Sequence, residues 1–479
     1  MMRGLFCQPL RTLVVCIGVS CVPGWMGLCA DQAELNEQFK TNIESILVDY
    51  CYECHDEDGS EYDFSSTSTV GSVLKQGRVW QKGLRYLRDG QMPPADSHTP
   101  TDSDRARLID WLEEALACID CNESSDPGKP TIRRLSRAEY DYTIRDLLHV
   151  DLQVGQDTFP GDAGGHGFDN FADALFLTPI LMERYLYAAD QIMDEVLAST
   201  DARKVLFHVT PTATRSPEQA ARSMLEMFLP KAFRRPVTSN EIQERVSLFE
   251  EAMSEEKSFE AAMRPVIKSV LISPHFLYRQ EADRPEEDVY QISDHELAVR
   301  LSYFLWSSMP DPILFELADR NELSKPEVLL EQTQRMLKDP KSISLANHFA
   351  SQWLAFDKIM FVSRHEFSPI SWADRKSMFD ELAELFDAIV KEDLSVLNII
   401  DANFSFLNRE LADRYGLNVI EEGLETWSDS DRPQPLERFT LPDRTRGGAV
   451  TSAAILVSTS DTYRTSPVRR GAWVVQELL

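Results

Sequence analysis

The stretch Cys51-Tyr52-Glu53-Cys54-His55 determines how the first part of this chain is interpreted. It has the form C-x-x-C-H, which is the attachment pattern of c-type haem. Each thiol can form a thioether with one porphyrin, and the histidine that follows can then bind the iron from one side. The alternatives are a redox C-x-x-C pair and part of a zinc site, although no second ligand pair at zinc spacing is present in the sequence. The pattern predicts one covalently attached haem c, held by Cys51, Cys54 and His55.

A second axial ligand is predicted at Met92, which follows His55 by 37 residues in the stretch Gln91-Met92-Pro93-Pro94. The two prolines fix φ and remove two backbone donors, which favours an extended loop over a helix interior. The competing candidate is His98, in a bis-histidine arrangement, and a third interpretation is a methionine that only fills an apolar gap. With His55 and Met92 both bound, the iron has no open position, which favours electron transfer over oxygen chemistry.

Residues 1–30 resemble a secretory signal peptide, because two arginines precede the apolar run 12–21 and small residues close the segment. The run is too short and too interrupted for a membrane span. Lipoprotein cleavage before Cys21 is the alternative. Haem c is attached outside the cytoplasm, so the predicted export to the periplasm or cell envelope agrees with the C-x-x-C-H pattern. In that compartment Cys118 and Cys121, spaced as C-x-x-C, are expected to form a short disulfide or to remain a thiol pair.

Composition limits the classes of partner. The 479 residues carry a formal net charge of −29, which argues against binding to nucleic acid and to anionic membrane surfaces. Hydrophobic residues make up 43% of the chain, which suffices for packed cores in two to four domains. Beyond the leader, no apolar run is long enough to span a bilayer.

The helical pattern around the haem motif predicts a small cytochrome c-like domain over residues 31–121. A helix over 34–50 places Phe39, Ile43, Ile46 and Leu47 on one face and leads into the motif, and a second helix is expected over 102–117. The polar segment 122–130, with Pro127 and Gly128, is predicted to be a linker.

Three helix starts in the rest of the chain share one pattern. Ser136 to Glu139, Thr238 to Glu241 and Ser293 to Glu296 are capping boxes, each flanked by the apolar pair of a hydrophobic staple. They predict an all-α, multi-module body. In the third helix we expect one buried side, formed by the residues Leu297, Leu301, Phe304, Leu305 and Trp306. The apolar segment that looks least helical is 444–458.

Other polar clusters have simpler alternatives. The loop 161–170 combines glycines with Asp162, His166, Asp169 and Asn170, which suits a binding or metal-supporting loop or else a tight connection. The arginine pairs at 133–134 and 234–235 are expected to neutralise acidic neighbours, with docking of acidic partners or haem propionates as the alternative.

Long segments of the chain resemble a known family. These segments are, in chain order, Tyr50-Cys51-Tyr52-Glu53-Cys54-His55, Gln91-Met92-Pro93-Pro94, Arg133-Arg134-Leu135-Ser136-Arg137-Ala138-Glu139-Tyr140, Gly167-Phe168-Asp169-Asn170, Ala232-Phe233-Arg234-Arg235-Pro236-Val237, Ser273-Pro274-His275-Phe276-Leu277-Tyr278-Arg279, Leu301-Ser302-Tyr303-Phe304-Leu305-Trp306 and Arg464-Thr465-Ser466-Pro467-Val468-Arg469-Arg470-Gly471. They resemble exported planctomycete multidomain proteins, in which a cytochrome c module precedes several domains of unknown function.

The resemblance implies a modular body. We expect helical modules over 131–200, 215–285 and 290–418, and the start of a further, incomplete module over 435–479. Relatives usually continue beyond this point, so a truncated chain is expected. The resemblance supplies no catalytic residues outside the haem site.

Two function hypotheses follow. The first is an exported monohaem cytochrome that passes electrons between the helical body and a redox partner protein or periplasmic carrier. A haem-dependent oxidoreductase is then conceivable from the fusion of domains alone, and no hydrolase or transferase signature is present. The second is a cell-envelope binding or scaffold protein that recognises a polysaccharide or other envelope polymer, with the haem as an accessory or redox sensor.

Overall fold

The chain divides into two compact units, residues 1–128 and 129–479, and this division falls inside the segment predicted as a linker. The computed structural model describes residues 32–55, 64, 67–94, 97–117, 132–162, 164, 167–284, 289–362, 370–417, 434–461 and 464–478. These residues are mostly helical, as the sequence predicts. None of the helices in the described ranges has the length and apolarity that a membrane crossing requires.

The first unit is built from short helices around one core. Its helices are, in chain order, α1 (Gln32–Gln38), α2 (Glu44–Tyr50), α3 (Val70–Lys75), α4 (Gly77–Arg88) and α5 (Asp102–Ala117). A π-helical turn over Phe39–Ile43 joins α1 to α2, so the helix predicted over 34–50 is present. The second predicted helix corresponds to α5.

The core of the first unit is formed by apolar side chains of all five helices, α1 to α5. The predicted apolar face, Phe39, Ile43, Ile46 and Leu47, is buried. Trp111 of α5 packs against Phe39, with ring centroids 5.3 Å apart. These contacts fix the end of α2, where the haem motif begins.

The second unit is a longer succession of helices. They are α6 (Arg137–Leu148), α7 (Val154–Thr158), α8 (Pro179–Ala198), α9 (Thr200–Leu206), α10 (Pro217–Phe233), α11 (Ser239–Glu255), α12 (Phe259–Leu271), α13 (Pro274–Leu277), α14 (Asp294–Trp306), α15 (Pro312–Asp319), α16 (Pro326–Lys338), α17 (Ile343–Leu345), α18 (Ser351–Trp353), α19 (Trp372–Lys391), α20 (Asn398–Asp401), α21 (Arg409–Arg414), α22 (Ala453–Ser458) and α23 (Pro467–Trp473). Short 3₁₀ and π turns extend or connect several of them.

Two small antiparallel sheets join distant parts of the second unit. Strand β1 (Arg133–Arg134) pairs with β2 (Tyr278–Arg279). Strand β3 (Phe404–Leu407) pairs with β4 (Glu437–Thr440), with Phe404 opposite Thr440. The pairing of β3 with β4 connects residues on either side of 418–435, where a boundary between modules was predicted.

Side-chain caps start many helices of the second unit, and the three predicted capping boxes are confirmed. Ser136, Thr238 and Ser293 each accept the backbone N–H of the acidic residue three positions on, whose carboxylate in turn accepts the cap's own N–H. Ser216 and Ser371 start α10 and α19 in the same way, with Gln219 and Asp374 in the third position.

Three buried apolar clusters lie in the second unit. The largest draws on α6, α8 and α10 to α13 and extends to Met309, so the predicted modules 131–200 and 215–285 share one core. A smaller cluster surrounds Trp306 and Met336. The third surrounds α19 and combines residues 346–412 with residues 449–473, so the segments predicted as modules 290–418 and 435–479 also share a core.

Two expectations about these elements are wrong. Phe304 is 61% exposed, because at 100° per residue the buried side of α14 runs through Ala298, Ser302, Leu305 and Trp306 and leaves position 304 on the far side. The segment 444–458 forms a 3₁₀ turn and α22 instead of being the least helical part. The strands β1 to β4 are two to four residues long, which is too short to show a clear alternation of apolar residues.

Candidate functional site

The C-x-x-C-H motif forms one helical turn directly after α2. The N–H groups of Cys51 and Tyr52 donate to the carbonyl of Leu47, and those of Cys54 and His55 donate to the carbonyl of Cys51, at 3.2 and 3.0 Å. Cys51 is therefore partly buried against the core while Cys54 is exposed. Both thiols and the imidazole are presented by a single, locally hydrogen-bonded turn.

All predicted ligands line one cavity of about 240 Å³ in the first unit. Cys51, Cys54, His55 and Met92 contribute to its wall, and so does the competing ligand His98. The remaining wall is mainly apolar and aromatic, from Leu47, Tyr50, Phe64, Val79, Trp80, Tyr86, Leu87, Pro93, Pro94 and Leu108. The structure thus brings together residues that lie up to 61 positions apart in the sequence.

Backbone contacts hold the loop that carries Met92. The N–H groups of Gln91 and Met92 donate to the carbonyl of Tyr86, at 2.8 and 3.2 Å. The guanidinium of Arg105 donates to the carbonyls of Leu87 and Met92, at 3.1 and 3.4 Å. The methionine side chain is half-buried at the cavity wall. Sequence patterns predicted the loop but gave no indication of Arg105.

Aromatic rings support the two histidines of the cavity. The ring of His55 lies 4.9 Å from that of Phe64, which stacks on Trp80 at 4.3 Å. The ring of His98 lies 4.8 Å from that of Tyr50. His98 is exposed whereas His55 and Met92 are partly buried, so the structure distinguishes the two candidates for the second ligand by their depth.

The pKa of the Cys51 thiol is relevant to the alternative interpretation of the motif, a redox-active C-x-x-C pair. Burial, with the neighbouring Cys54 adding to it, raises the pKa of the Cys51 thiol to about 11. A nucleophilic cysteine of a redox C-x-x-C pair needs a lowered pKa, because the thiolate is the reactive form. The environment of Cys51 is the opposite of the one that activates such a thiol.

One buried donor in the cavity wall lacks a partner. The indole N–H of Trp80, which is 3% exposed, makes no hydrogen bond with any part of the chain that the structure describes. Leaving such a donor unsatisfied costs about 1–3 kcal/mol.

The acidic residues of loop 161–170 bind the protein itself. Asp162 accepts from the Arg134 guanidinium and from the backbone N–H of Arg137, both at 2.8 Å. Asp169 exchanges two hydrogen bonds with Gln352, at 2.7 and 2.9 Å. Over the described ranges, no group of three potential ligands is arranged for a metal ion. The observed contacts are those of a structural connection, and His166 lies outside the described residues.

Three of the four paired arginines, Arg133, Arg134 and Arg235, neutralise acidic neighbours, as expected. Arg133 lies 2.7 Å from Glu139, and Arg279 on the paired strand lies 3.7 Å from the same carboxylate. Burial alone would raise the pKa of Glu139, but the charges of Arg133 and Arg279 hold it below its ordinary value. Arg235 pairs with Glu241 at 2.6 Å. Arg234 differs, because it binds the carbonyls of residues 275, 276 and 278.

Some predictions concern residues that the structure does not describe. The signal peptide over 1–30 and the pair Cys118 and Cys121 lie outside the described residues. They stay predictions from the sequence.

Comparison with known proteins identifies three segments of the chain, each matching a family model described as a protein of unknown function. The matches are residues 133–198 (DUF1587), residues 220–281 (DUF1595) and residues 292–417 (DUF1592). These are planctomycete-type domains, so the expectation of several such domains of unknown function is confirmed. None of the three matches covers residues 31–121. No curated protein and no solved structure matches the chain.

Proposed function

We propose that the protein is an exported monohaem cytochrome c that transfers electrons to or from a redox partner protein or periplasmic carrier. The observation that carries this proposal is the single cavity lined by Cys51, Cys54, His55 and Met92. Cys51 and Cys54 would hold the porphyrin through thioethers, and His55 and Met92 would be the axial ligands of the iron. The haem itself would supply a reversible one-electron couple.

Three features of the cavity support a haem in particular. The wall is mainly apolar and aromatic, which suits the faces of a porphyrin. The motif turn offers both thiols and the imidazole from one segment. The rings of Phe64 and Trp80, stacked at 4.3 Å, lie beside His55, the proposed axial ligand.

The exposure of Cys54 supports electron transfer to a partner over a role in which the protein encloses the haem completely. Cys51 is partly buried while Cys54 faces solvent, so the porphyrin edge attached through Cys54 would lie at the surface. An edge at the surface allows a partner to approach closely. Met92, held by the backbone contacts of its loop, would close the position that oxygen chemistry requires.

Covalent attachment is the first test. The full chain is co-expressed with a cytochrome c maturation system, and the haem is quantified as its pyridine haemochrome. We expect one covalent haem in the parent and none in Cys51→Ala/Cys54→Ala. The Cys118→Ala/Cys121→Ala variant is the matched control and should keep its haem. Absence of covalent haem from the parent would refute the proposal.

The second axial ligand is tested separately. In Met92→Ala we expect loss of the methionine–iron charge-transfer band and a lower reduction potential, because thioether ligation raises the potential. His98→Ala is the control and should leave both unchanged. If His98→Ala changes the spectrum and Met92→Ala does not, a bis-histidine cytochrome replaces the proposed one.

A further inference from the structure

We propose that the second unit binds a small anionic ligand with an apolar body. Its site is a cavity of about 490 Å³ whose charged residues are the cations Arg145, Lys231 and Lys341 and the acids Asp146, Asp151 and Asp311, with His149 also in the wall. The proposal is independent of the haem, because every residue of this wall belongs to the second unit.

The cavity is a product of the tertiary fold. Residues at the end of α6 come from the segment 133–198, Lys231 on α10 comes from 220–281, and the stretch 309–315 and Lys341 come from 292–417. All three matched domains therefore contribute to one wall. A site that needs all three gives a reason for their presence in one chain.

Two cations of the wall share one carboxylate. Asp146 is shared by Arg145, at 2.9 Å, and Lys341, at 3.4 Å, and it also accepts from the Ser308 hydroxyl at 2.7 Å. Burial alone would raise the pKa of Asp146, but Arg145 and Lys341 hold it below its ordinary value. One carboxylate thus faces two cations, which leaves a positive charge for a ligand.

The other charged groups leave this single positive charge in place, because the exposed acid Asp151 offsets Lys231. Asp311 is already engaged by Arg335, at 2.7 Å, and by the N–H of Leu314, which it caps. Lys231 has no acidic partner within the described part of the chain. A local positive charge stands out in a protein with a net charge of −29, and it would attract an anion.

Aromatic rings contact two of the cations, Lys341 and Arg145. The Lys341 ammonium lies 4.0 Å from the centre of the Trp306 ring, and the Arg145 guanidinium lies 4.8 Å from that of Tyr142. Cations held in this way lose little freedom when a ligand binds, which favours affinity. Leu147, Val205, Met309 and Phe315 supply the apolar part of the wall, so the ligand class is a carboxylate or similar anion on an apolar body.

The test uses the full protein with its haem and three probes of the same shape. These are 2-naphthoate, the neutral 2-naphthamide and the cationic 2-naphthylmethylamine, followed by ligand-observed NMR and calorimetry. We expect 2-naphthoate to bind with an affinity that falls as salt increases, and the other two to bind at least about tenfold more weakly. Equal binding of the amide, or preferential binding of the amine, would overturn the proposal.

Variants locate the binding. Lys231→Gln should weaken 2-naphthoate binding by about threefold to tenfold, because one cation is removed. Lys231 is exposed and makes no ion pair in the described chain, so the melting temperature should not change. Lys257→Gln, at an exposed lysine outside the wall, is the matched control and should have no effect. Unchanged binding in both Lys231→Gln and Lys341→Gln would refute the site.

Discussion

Glu381 is a buried carboxyl whose protonation is coupled to the fold of the second unit. It is 4% exposed and accepts hydrogen bonds from the Ser405 hydroxyl at 2.7 Å and from the Tyr415 hydroxyl at 2.5 Å. Burial raises its pKa to about 7 from an ordinary value of 4.5, because these two bonds only partly compensate the lost hydration. The folded protein therefore keeps a proton that the unfolded chain has already released.

This shift predicts a pH dependence of stability. Below pH 4.5 the carboxyl is protonated in both states, and between pH 4.5 and about 7 only the folded state binds the proton, so stability falls as the pH rises. In Glu381→Gln this decline should be absent, which makes the variant the more stable protein at pH 8, by up to about 3 kcal/mol. The measurement is the melting temperature of both proteins from pH 4 to pH 8.

The control for this prediction is Glu250→Gln, at an exposed carboxyl on α11. Its melting temperature should follow that of the parent at every pH. A constant difference between Glu381→Gln and the parent across the range would contradict the assigned titration.

Some residues of the candidate site could be predicted from the sequence and others could not. Cys51, Cys54, His55 and Met92 were found because attachment chemistry imposes a short motif and a nearby proline-flanked loop. Trp80 and Arg105 belong to no such motif. The unpaired indole N–H of Trp80 and the hydrogen bonds from the Arg105 guanidinium to two carbonyls exist only in the folded chain.

Helix starts are the elements that the sequence predicts best, because a capping box is complete within four residues. At α14 the Ser293 hydroxyl accepts the N–H of Glu296 at 3.3 Å, and the Glu296 carboxylate accepts the Ser293 N–H at 2.7 Å. Ser293→Ala leaves the Glu296 N–H without its side-chain acceptor. We expect a loss of about 1 kcal/mol in the free energy of unfolding of the second unit, measured by urea unfolding and circular dichroism.

Ser254→Ala serves as the comparison, because Ser254 is an exposed serine in the last turn of α11 whose hydroxyl only donates to the carbonyl of Glu251. It should change stability by less than about 0.5 kcal/mol. Equal effects of the two substitutions would mean that the cap contributes nothing.

Other elements depend on distant partners and were missed for that reason. Helix α4 contains Gly77 and Gly83 and many charges, yet it buries Trp80, Leu84 and Leu87 against the first core. Strand β3 pairs with β4, and the segment 418–433 separates the two strands in the sequence. A strand of four residues is too short to show a detectable periodicity of apolar residues.

At the scale of the whole molecule, the charge of −29 should govern encounters with redox partners. Under the proposed function, electron transfer to a basic redox protein should slow by roughly tenfold between low and physiological salt, since screening removes the attraction. With an acidic partner of similar size and potential, the rate should rise over the same range. Stopped-flow measurement of haem absorbance follows both reactions, and rates independent of salt with both partners would contradict long-range steering.

Domain boundaries illustrate what sequence patterns cannot supply at this scale. The predicted modules came from the resemblance to a family, and the three matched segments, 133–198, 220–281 and 292–417, lie within them. Whether neighbouring modules fold separately depends on which apolar faces meet, and here residues 133–198 and 220–281 bury theirs in a common core. The resemblance therefore suggested the modules without revealing that two of them share a core.

The contact of Trp473 with the α19 core has a consequence for the order in which the chain folds. Its indole N–H donates to the carbonyl of Leu354 at 2.7 Å, across 119 residues, and the ring is buried. During synthesis this core stays open until residue 473 has emerged, whereas the first-unit cavity has its whole wall once residue 108 is made. The two units should therefore mature at different times on the ribosome or during translocation, the front one early and the α19 core last.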